Sequence, residues 1–194
     1  MIGQQLIECV PNFSEGRDEK KINSIAEAIR STVGVELLHV DSGYDANRTV
    51  YTLVGSPNAV VAAITSAFRT AKQVCNMANH LGTHPRIGLL DVCPLIPLRN
   101  ISIAETHEFA IALAQNLVEE HNQTIYLYES SATNPNRKNL ASIRRGEYEG
   151  LKRKLNQAEW KPDFGSEEFL PRTGASIIGV RPFLIAYNVN LDTK

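Results

Sequence analysis

Two imidazoles and a guanidinium crowd one short stretch of this chain: His80, His84 and Arg86, within HLGTHPRIGLLDVCPLIPL. Imidazole titrates closest to physiological pH, so a single histidine can both accept and donate a proton. His84 is the best single candidate for such work. Pro85 holds it away from helical backbone angles, and Gly82 punctuates the same loop, so a short rigid turn presents it at the mouth of a strand. Arg86, two residues on in extended backbone, is expected to project to the same side and to hold a carboxylate bidentately. Other uses stay open. These residues can be ordinary loop groups that hydrogen-bond locally. His80 and His84 can share a metal with Asp91, Asp41 or His39, although Gly82 and Pro85 deny them the helix that makes i,i+4 spacing useful. Cys93 can be a nucleophile with His84 as its base, against which stands its place in an apolar run where a thiolate is poorly solvated.

Two further groups carry chemistry. Asp41, Asn47 and Arg48 bracket a turn; Asp and Asn suit turns for conformational reasons alone, but Arg48 does not. PNFSEGR, residues 11–17 with Asn12 near its start, runs from a strand into a Ser/Gly turn and a helix start, the form of an anion-binding loop. It lacks the glycines of a P-loop or dinucleotide fingerprint.

The elements that must position these groups follow from periodicity and punctuation. Residues 6–10 are apolar and stop at Pro11, which reads as a strand. Asp18 is a helix cap, and Ile22, Ile25, Ala26 and Ile29 recur at helical spacing, predicting a helix over 19–31 ended by Gly34. Residues 35–40 and 49–54 read as strands joined by the SGYDAN turn. Ser56 and Pro57 begin a long helix with Val60, Ile64, Ala67, Ala71 and Val74 on one face. The histidine loop and a fourth strand, 87–92, come next. Ser102 caps a third helix bearing Phe109, Leu113 and Leu117, and 124–128 is a fifth strand. Residues 141–155 are partly helical, and their charge run reads as a solvated face. Residues 175–189 supply a last strand, with a bend or edge position at Pro182. The order β-α-β-β-α-β, then α-β, predicts an α/β sandwich: a mixed sheet of about five or six strands with helices mainly on one face.

At 194 residues the chain is long enough for one core, and no linker or repeat divides it. A formal net charge of −1 gives no reason to expect nucleic acid or an anionic membrane as partner. No apolar run approaches the ~20 residues of a membrane span. The start, MIGQQLIECV, lacks the regions of a signal peptide, and three scattered cysteines read as reduced thiols, so a cytoplasmic location is expected.

Several longer motifs together carry a resemblance: ECVPNFSEGR, DSGYDANRTVYTLVG, GTHPRIGLLDVCPLIP, IYLYE, RRGEYEGL, PDFG and RPFLIAYNVNL, in this order. The chain resembles glutamate formiminotransferase, matching its amino-terminal subdomain over almost its whole length. The resemblance implies transfer of a formimino group from N-formiminoglutamate to tetrahydrofolate, which serves as co-substrate, with no metal. It puts the catalytic histidine at His84 rather than His80 and a functional aspartate at Asp41. It puts the folate-contacting segment at Gly165, Ser166, Glu167, Glu168, Phe169, Leu170, Pro171, Arg172, Thr173 and Gly174. Arg48, Arg86 or the loop containing Asn12 would hold carboxylates of glutamate or of the folate tail. Two departures stand out. The family usually has an acidic residue immediately before its catalytic histidine, and here it is Thr83. The family also has a carboxy-terminal subdomain forming the other wall of a crevice. On this resemblance residues 1–194 are the first subdomain alone, so a homo-oligomer or a separate second-subdomain chain is expected to complete the site. The alternative is a non-catalytic folate- or amino-acid-binding module that kept the fold.

Overall fold

The computed structural model describes residues 3–185. In chain order the elements are β1 (Leu6–Cys9), β2 (Asn12–Phe13), α1 (Glu19–Arg30), β3 (Val35–Gly43), β4 (Arg48–Gly55), α2 (Pro57–Val74), β5 (Leu90–Arg99), α3 (Ile103–His121), β6 (Thr124–Glu129), α4 (Leu140–Arg144), α5 (Glu147–Leu155) and β7 (Ala175–Val180). Their ends follow local chemistry. The Asp18 carboxylate accepts from the first free N–H groups of α1, at Lys20 and Lys21. Pro57 opens α2 where its missing N–H costs nothing. Ser102 and Glu105 form a reciprocal capping box on α3, and Asn122 closes that helix in the left-handed region.

β1 and β2 are halves of one strand interrupted at Val10 and Pro11, since both pair antiparallel with β4 on one side and β5 on the other. Counting them as one row, the sheet runs β3, β4, β1/β2, β5, β7, β6. The rows from β3 to β5 are antiparallel; β5–β7 and β7–β6 are parallel. Elements β1 through β5 make two interleaved split β-α-β units, the ferredoxin-like arrangement. The α3–β6 extension and a long return through α4 and α5 add β7 in the interior of the sheet.

The three long helices cover one face, as expected. Ile25, Ile29, Ile64, Phe68, Leu113 and Leu117 pack there on Ile7, Tyr51, Leu53 and Cys93. The short α4 and α5 cover part of the opposite face, where Ile143, Leu151 and Leu155 pack on Val92, Tyr126 and Ile177. The charge run of 141–155 is therefore not simply a solvated face. Lys154 lies buried, its ammonium donating to the Ile143 carbonyl and sitting 4.3 Å from the centre of the Trp160 ring. Because α4 and α5 reach only the β5–β7–β6 end, β4 keeps an alternating pattern, with Tyr51 and Leu53 inward and Arg48, Val50, Thr52 and Val54 on the less covered face. A step results on that face, at the edge of α4.

Two strand boundaries differ from expectation. The fourth strand begins at Leu90 and continues through Pro94 and Pro97 to Arg99. Pro94 lies opposite the Val10–Pro11 interruption, where the neighbouring ladder is already broken. The last strand ends at Val180, two residues before Pro182, and it is a central strand rather than an edge; residues 186–189 of the expected strand lie outside the described residues. No helix among the described residues is long and apolar enough to cross a membrane.

Candidate active site

The histidine loop is held by the β3–β4 turn. Asn47, in the left-handed region at φ 49°, is the junction. Its side-chain oxygen accepts from Gly16 N–H at 2.9 Å, its side-chain amide donates to the Leu81 carbonyl at 2.9 Å, and its own carbonyl accepts from His80 at 2.7 Å. Gly82 makes the approach possible, since a Cβ there would sit 2.2 Å from the Ala46 carbonyl oxygen. Thr83 N–H and hydroxyl both donate to the Asp45 carbonyl, at 3.0 and 3.1 Å. Behind the loop, Leu89 N–H donates to Thr173 and Ala175 N–H to Ile87, tying residues 87–89 to the start of β7.

His84 comes out half-buried beside Arg48, the first residue of β4. Its Nδ1 lies 2.8 Å from the Pro85 carbonyl oxygen, which can only accept, so Nδ1 carries the proton. Nε2 is then a lone pair, and it faces the Arg48 Nη1. Burial, with the Arg48 and Arg144 cations next, holds the imidazole below its usual pKa. The ring is thus neutral near pH 7, with its basic nitrogen pointing away from the main chain. It lines a cleft of about 730 Å³ with Pro85, Leu140, Arg144, Arg145 and Glu147, at the step beside α4.

The other expected residues divide. Arg48 is brought to His84. Asp41 and Asn12 lie on the same uncovered face, in one row across the sheet: Asp41 on β3 opposite Val50, Val50 opposite Asn12, Asn12 opposite Val92. Asp41 is exposed and makes no hydrogen bond to His84; its charge acts on Arg48. Asn12 donates to the Val10 carbonyl at 3.0 Å. Arg86 is not brought to His84's side. It is buried, donating to Glu149 at 2.6 and 2.9 Å, to Glu147 at 2.9 Å, and to Nδ1 and the carbonyl of His80. Its fork is filled by the chain's own acids, so it braces α5 against the loop and leaves no bidentate face for another carboxylate.

His80 is likewise occupied at both nitrogens, Nε2–H toward Asn47 and Nδ1 toward Arg86, which removes it as a metal ligand or base in this arrangement. Cys93 is fully buried, 3.4 Å from Cys9 Sγ, and not at the cleft. The segment 165–174 does not line the cleft; α5 stands between them. Phe169 packs on Tyr148 with ring centres 5.4 Å apart, and the Tyr148 hydroxyl donates to the Pro171 carbonyl at 2.6 Å. Arg172 donates to carbonyls at the end of α2, and Glu167 pairs with Lys161.

Sequence reasoning missed the role of two members, having weighed Asp91 only as a metal ligand and Arg144 only as part of a solvated charge run. Asp91, wholly buried on β5, accepts from Ile87 N–H at 2.9 Å and pairs with Arg144 across 53 residues of chain. Arg144 brings a second cation to the cleft. The only prior signal was the RRGEYEGL motif, whose partner nothing local indicated.

Burial lowers the pKa of His80, His84 and His121 alike. The unfolded chain takes up protons near the ordinary value of about 6.5, and the folded one resists, so the unfolded state binds more protons below that pH. The stability concerned is complete above about 6.5 and falls as pH drops toward the folded-state values. Thermal unfolding is therefore expected at a lower midpoint at pH 5.5 than at pH 7.5; a flat or rising midpoint would contradict these burials.

The comparisons with known proteins agree with one another. Residues 6–181 match the family described as Formiminotransferase domain, N-terminal subdomain. The chain is 54% identical over 187 residues to formimidoyltransferase-cyclodeaminase of Rattus norvegicus, covering 96% of this chain and 35% of that protein. It is 50% identical over 191 residues to the Dictyostelium discoideum protein of the same name, covering 98% and 36%. It is 40% identical over 189 residues to glutamate formimidoyltransferase of Streptococcus pyogenes serotype M1, covering 97% and 63%. The chain thus spans about a third of the first two relatives and less than two thirds of the third. With the family model matched over residues 6–181 and relatives 40–54% identical over nearly the whole chain, the chain belongs to the formiminotransferase domain, N-terminal subdomain, family.

Proposed function

We propose that this chain supplies the acid–base side of a folate-dependent formimino transfer, from N-formiminoglutamate to tetrahydrofolate, with His84 as the proton carrier. The observation that supports this above all is the state of His84: neutral, with Nδ1–H held by the Pro85 carbonyl and the Nε2 lone pair free of any main-chain partner. Transfer needs such a group twice. N5 of the folate forms a bond to the formimino carbon, and its proton passes to Nε2. The same proton then goes to the glutamate nitrogen as its bond to that carbon breaks, leaving glutamate, the formimino-folate and a neutral His84. Asp41, exposed on the same sheet face, would steady the cationic amidine. Arg48 would meet a carboxylate, and Asn12 would add a polar contact on the uncovered sheet. Residues 165–174, with Phe169 on Tyr148, would support the folate ring system on the far side of α5, from where the folate would have to reach round to His84. The other wall would come from a further subdomain or from a second copy, in the cytoplasm.

Donor labelled with ¹³C in the formimino group, mixed with tetrahydrofolate and the chain at micromolar concentration, tests this by NMR of the labelled carbon. The expected result is movement of the label from the glutamate nitrogen to the folate. Calorimetry with tetrahydrofolate separates the alternatives. Binding without transfer would favour the non-catalytic module, consistent with a Thr83 hydroxyl already engaged by Asp45. Neither binding nor transfer would overturn both.

A further inference from the structure

Two cations stand at the His84 cleft, Arg48 beside the imidazole and Arg144 held by Asp91. Among the described residues, Arg48 makes no ion pair; its Nη1 rests on Nε2 of His84. Arg144 gives one Nη2 to Asp91, while its buried Nε has no hydrogen-bond partner. The acids nearby are committed or displaced: Asp91 to Arg144 and Ile87, Glu147 to Arg86, and Asp41 out at the exposed face of β3. Arg145 adds a third positive charge to the lining. A guanidinium bonded to a neutral imidazole is a weaker pairing than the same guanidinium on a carboxylate, where both partners are charged and two parallel bonds form.

We propose that Arg48 and Arg144 are a carboxylate clamp, in which an anionic ligand draws Arg48 off His84 and so uncovers the Nε2 lone pair that the transfer requires. This deepens the function proposed above and rests on His84 as its base. Arg48 is then a positioning residue with two states. Without ligand it occupies the base; with a carboxylate seated, it binds the ligand and the base is released. Proton uptake by Nε2 from water or from a misplaced folate before the carboxylate arrives is thereby suppressed. The ligand also offsets the cations facing His84, namely Arg48 and Arg144, while Asp91 and Asp41 remain as they were. The imidazole should then hold its proton more firmly in the complex than in the free protein.

Ring ¹⁵N chemical shifts of the whole chain, titrated with pH, read this without any turnover; the His84→Gln variant assigns the signal. Three probes are added in turn: glutarate for the donor's carboxylates, 4-aminobenzoyl-L-glutamate for the folate tail, and neutral glutaramide. The His84 titration midpoint is expected to rise with a carboxylate probe and not with glutaramide. A larger response to glutarate assigns the clamp to the donor; a larger response to the aminobenzoyl compound assigns it to the folate tail. In Arg48→Gln the midpoint should start higher and stay still, and carboxylate affinity should fall roughly tenfold to a hundredfold, the loss of one or two charge-assisted bonds. Arg144→Lys, which keeps a charge for Asp91, should weaken binding without abolishing the shift. No response to either carboxylate in the wild type, or the same response in Arg48→Gln, would overturn the clamp. Loss of formimino transfer alone would not, since the shift is measured with no donor or acceptor present.

Discussion

His84→Ala is expected to lower formimino transfer by about a hundredfold or more, the usual cost of removing a general acid–base group, with little change in stability. The side chain is half-buried at the cleft wall, and its truncation strips one carbonyl contact and one guanidinium contact, both within reach of water. His80→Ala should behave in the opposite way. Its ring is 9% exposed and bridges the Asn47 carbonyl to the Arg86 guanidinium, so alanine leaves two buried polar groups short of a partner. Each such orphan costs about 1–3 kcal/mol, enough to lower the unfolding midpoint visibly. Paired measurement of turnover and of unfolding for both variants is the check. Equal losses of turnover in two well-folded variants would remove the distinction, and with it His84's special role. The pH profile adds an independent reading. A base whose pKa is lowered by burial should place the acid limb of kcat/KM below the ordinary imidazole value of about 6.5. A limb well above pH 6.5 would point to a different group.

Asp91→Ala is expected to destabilise the fold by about 3–5 kcal/mol, the cost of stripping one partner from a buried ion pair. The carboxylate has no exposure, and Arg144 keeps only 13% of its side chain in contact with solvent. Alanine would leave that guanidinium without its counter-charge and Ile87 N–H without its acceptor, at the point where the histidine loop enters β5. Set against the ~5–15 kcal/mol of an ordinary domain, this is a large fraction. Asp91→Asn should cost less, because an amide oxygen can still accept from Ile87. Urea unfolding should show a lower midpoint at unchanged slope, in the order wild type, Asn, Ala. An alanine variant as stable as the wild type would mean that the Asp91–Arg144 pair does not hold α4 to the sheet.

Much of this molecule was legible along the chain. Helical spacing of Ile22, Ile25 and Ile29 behind the Asp18 cap set α1 to within a residue, and the alternating run after Arg48 set β4. The succession of these elements was sufficient for a mixed sheet with helices mainly on one face, whereas the placing of β1 and β2 between β4 and β5 came only with the tertiary structure. His84 stood out for a local reason as well: Pro85 and Gly82 leave the loop no regular structure to adopt. What the sequence by itself determined is therefore what short-range forces decide, namely propensity, caps, turn chemistry and which face of each element is apolar. Arg86 shows where that ends. Its place two residues after His84 suggested a ligand-binding role, yet its partners are Glu147 and Glu149, 61 and 63 residues further on. Arg144 read as part of a solvated charge run, and only the docking of α4 beside β5 turned it toward Asp91 and the cleft. A charged side chain carries no periodic signal of its partner. Whether it becomes brace, clamp or surface depends on which distant backbone is folded against it, and that is decided by tertiary packing alone.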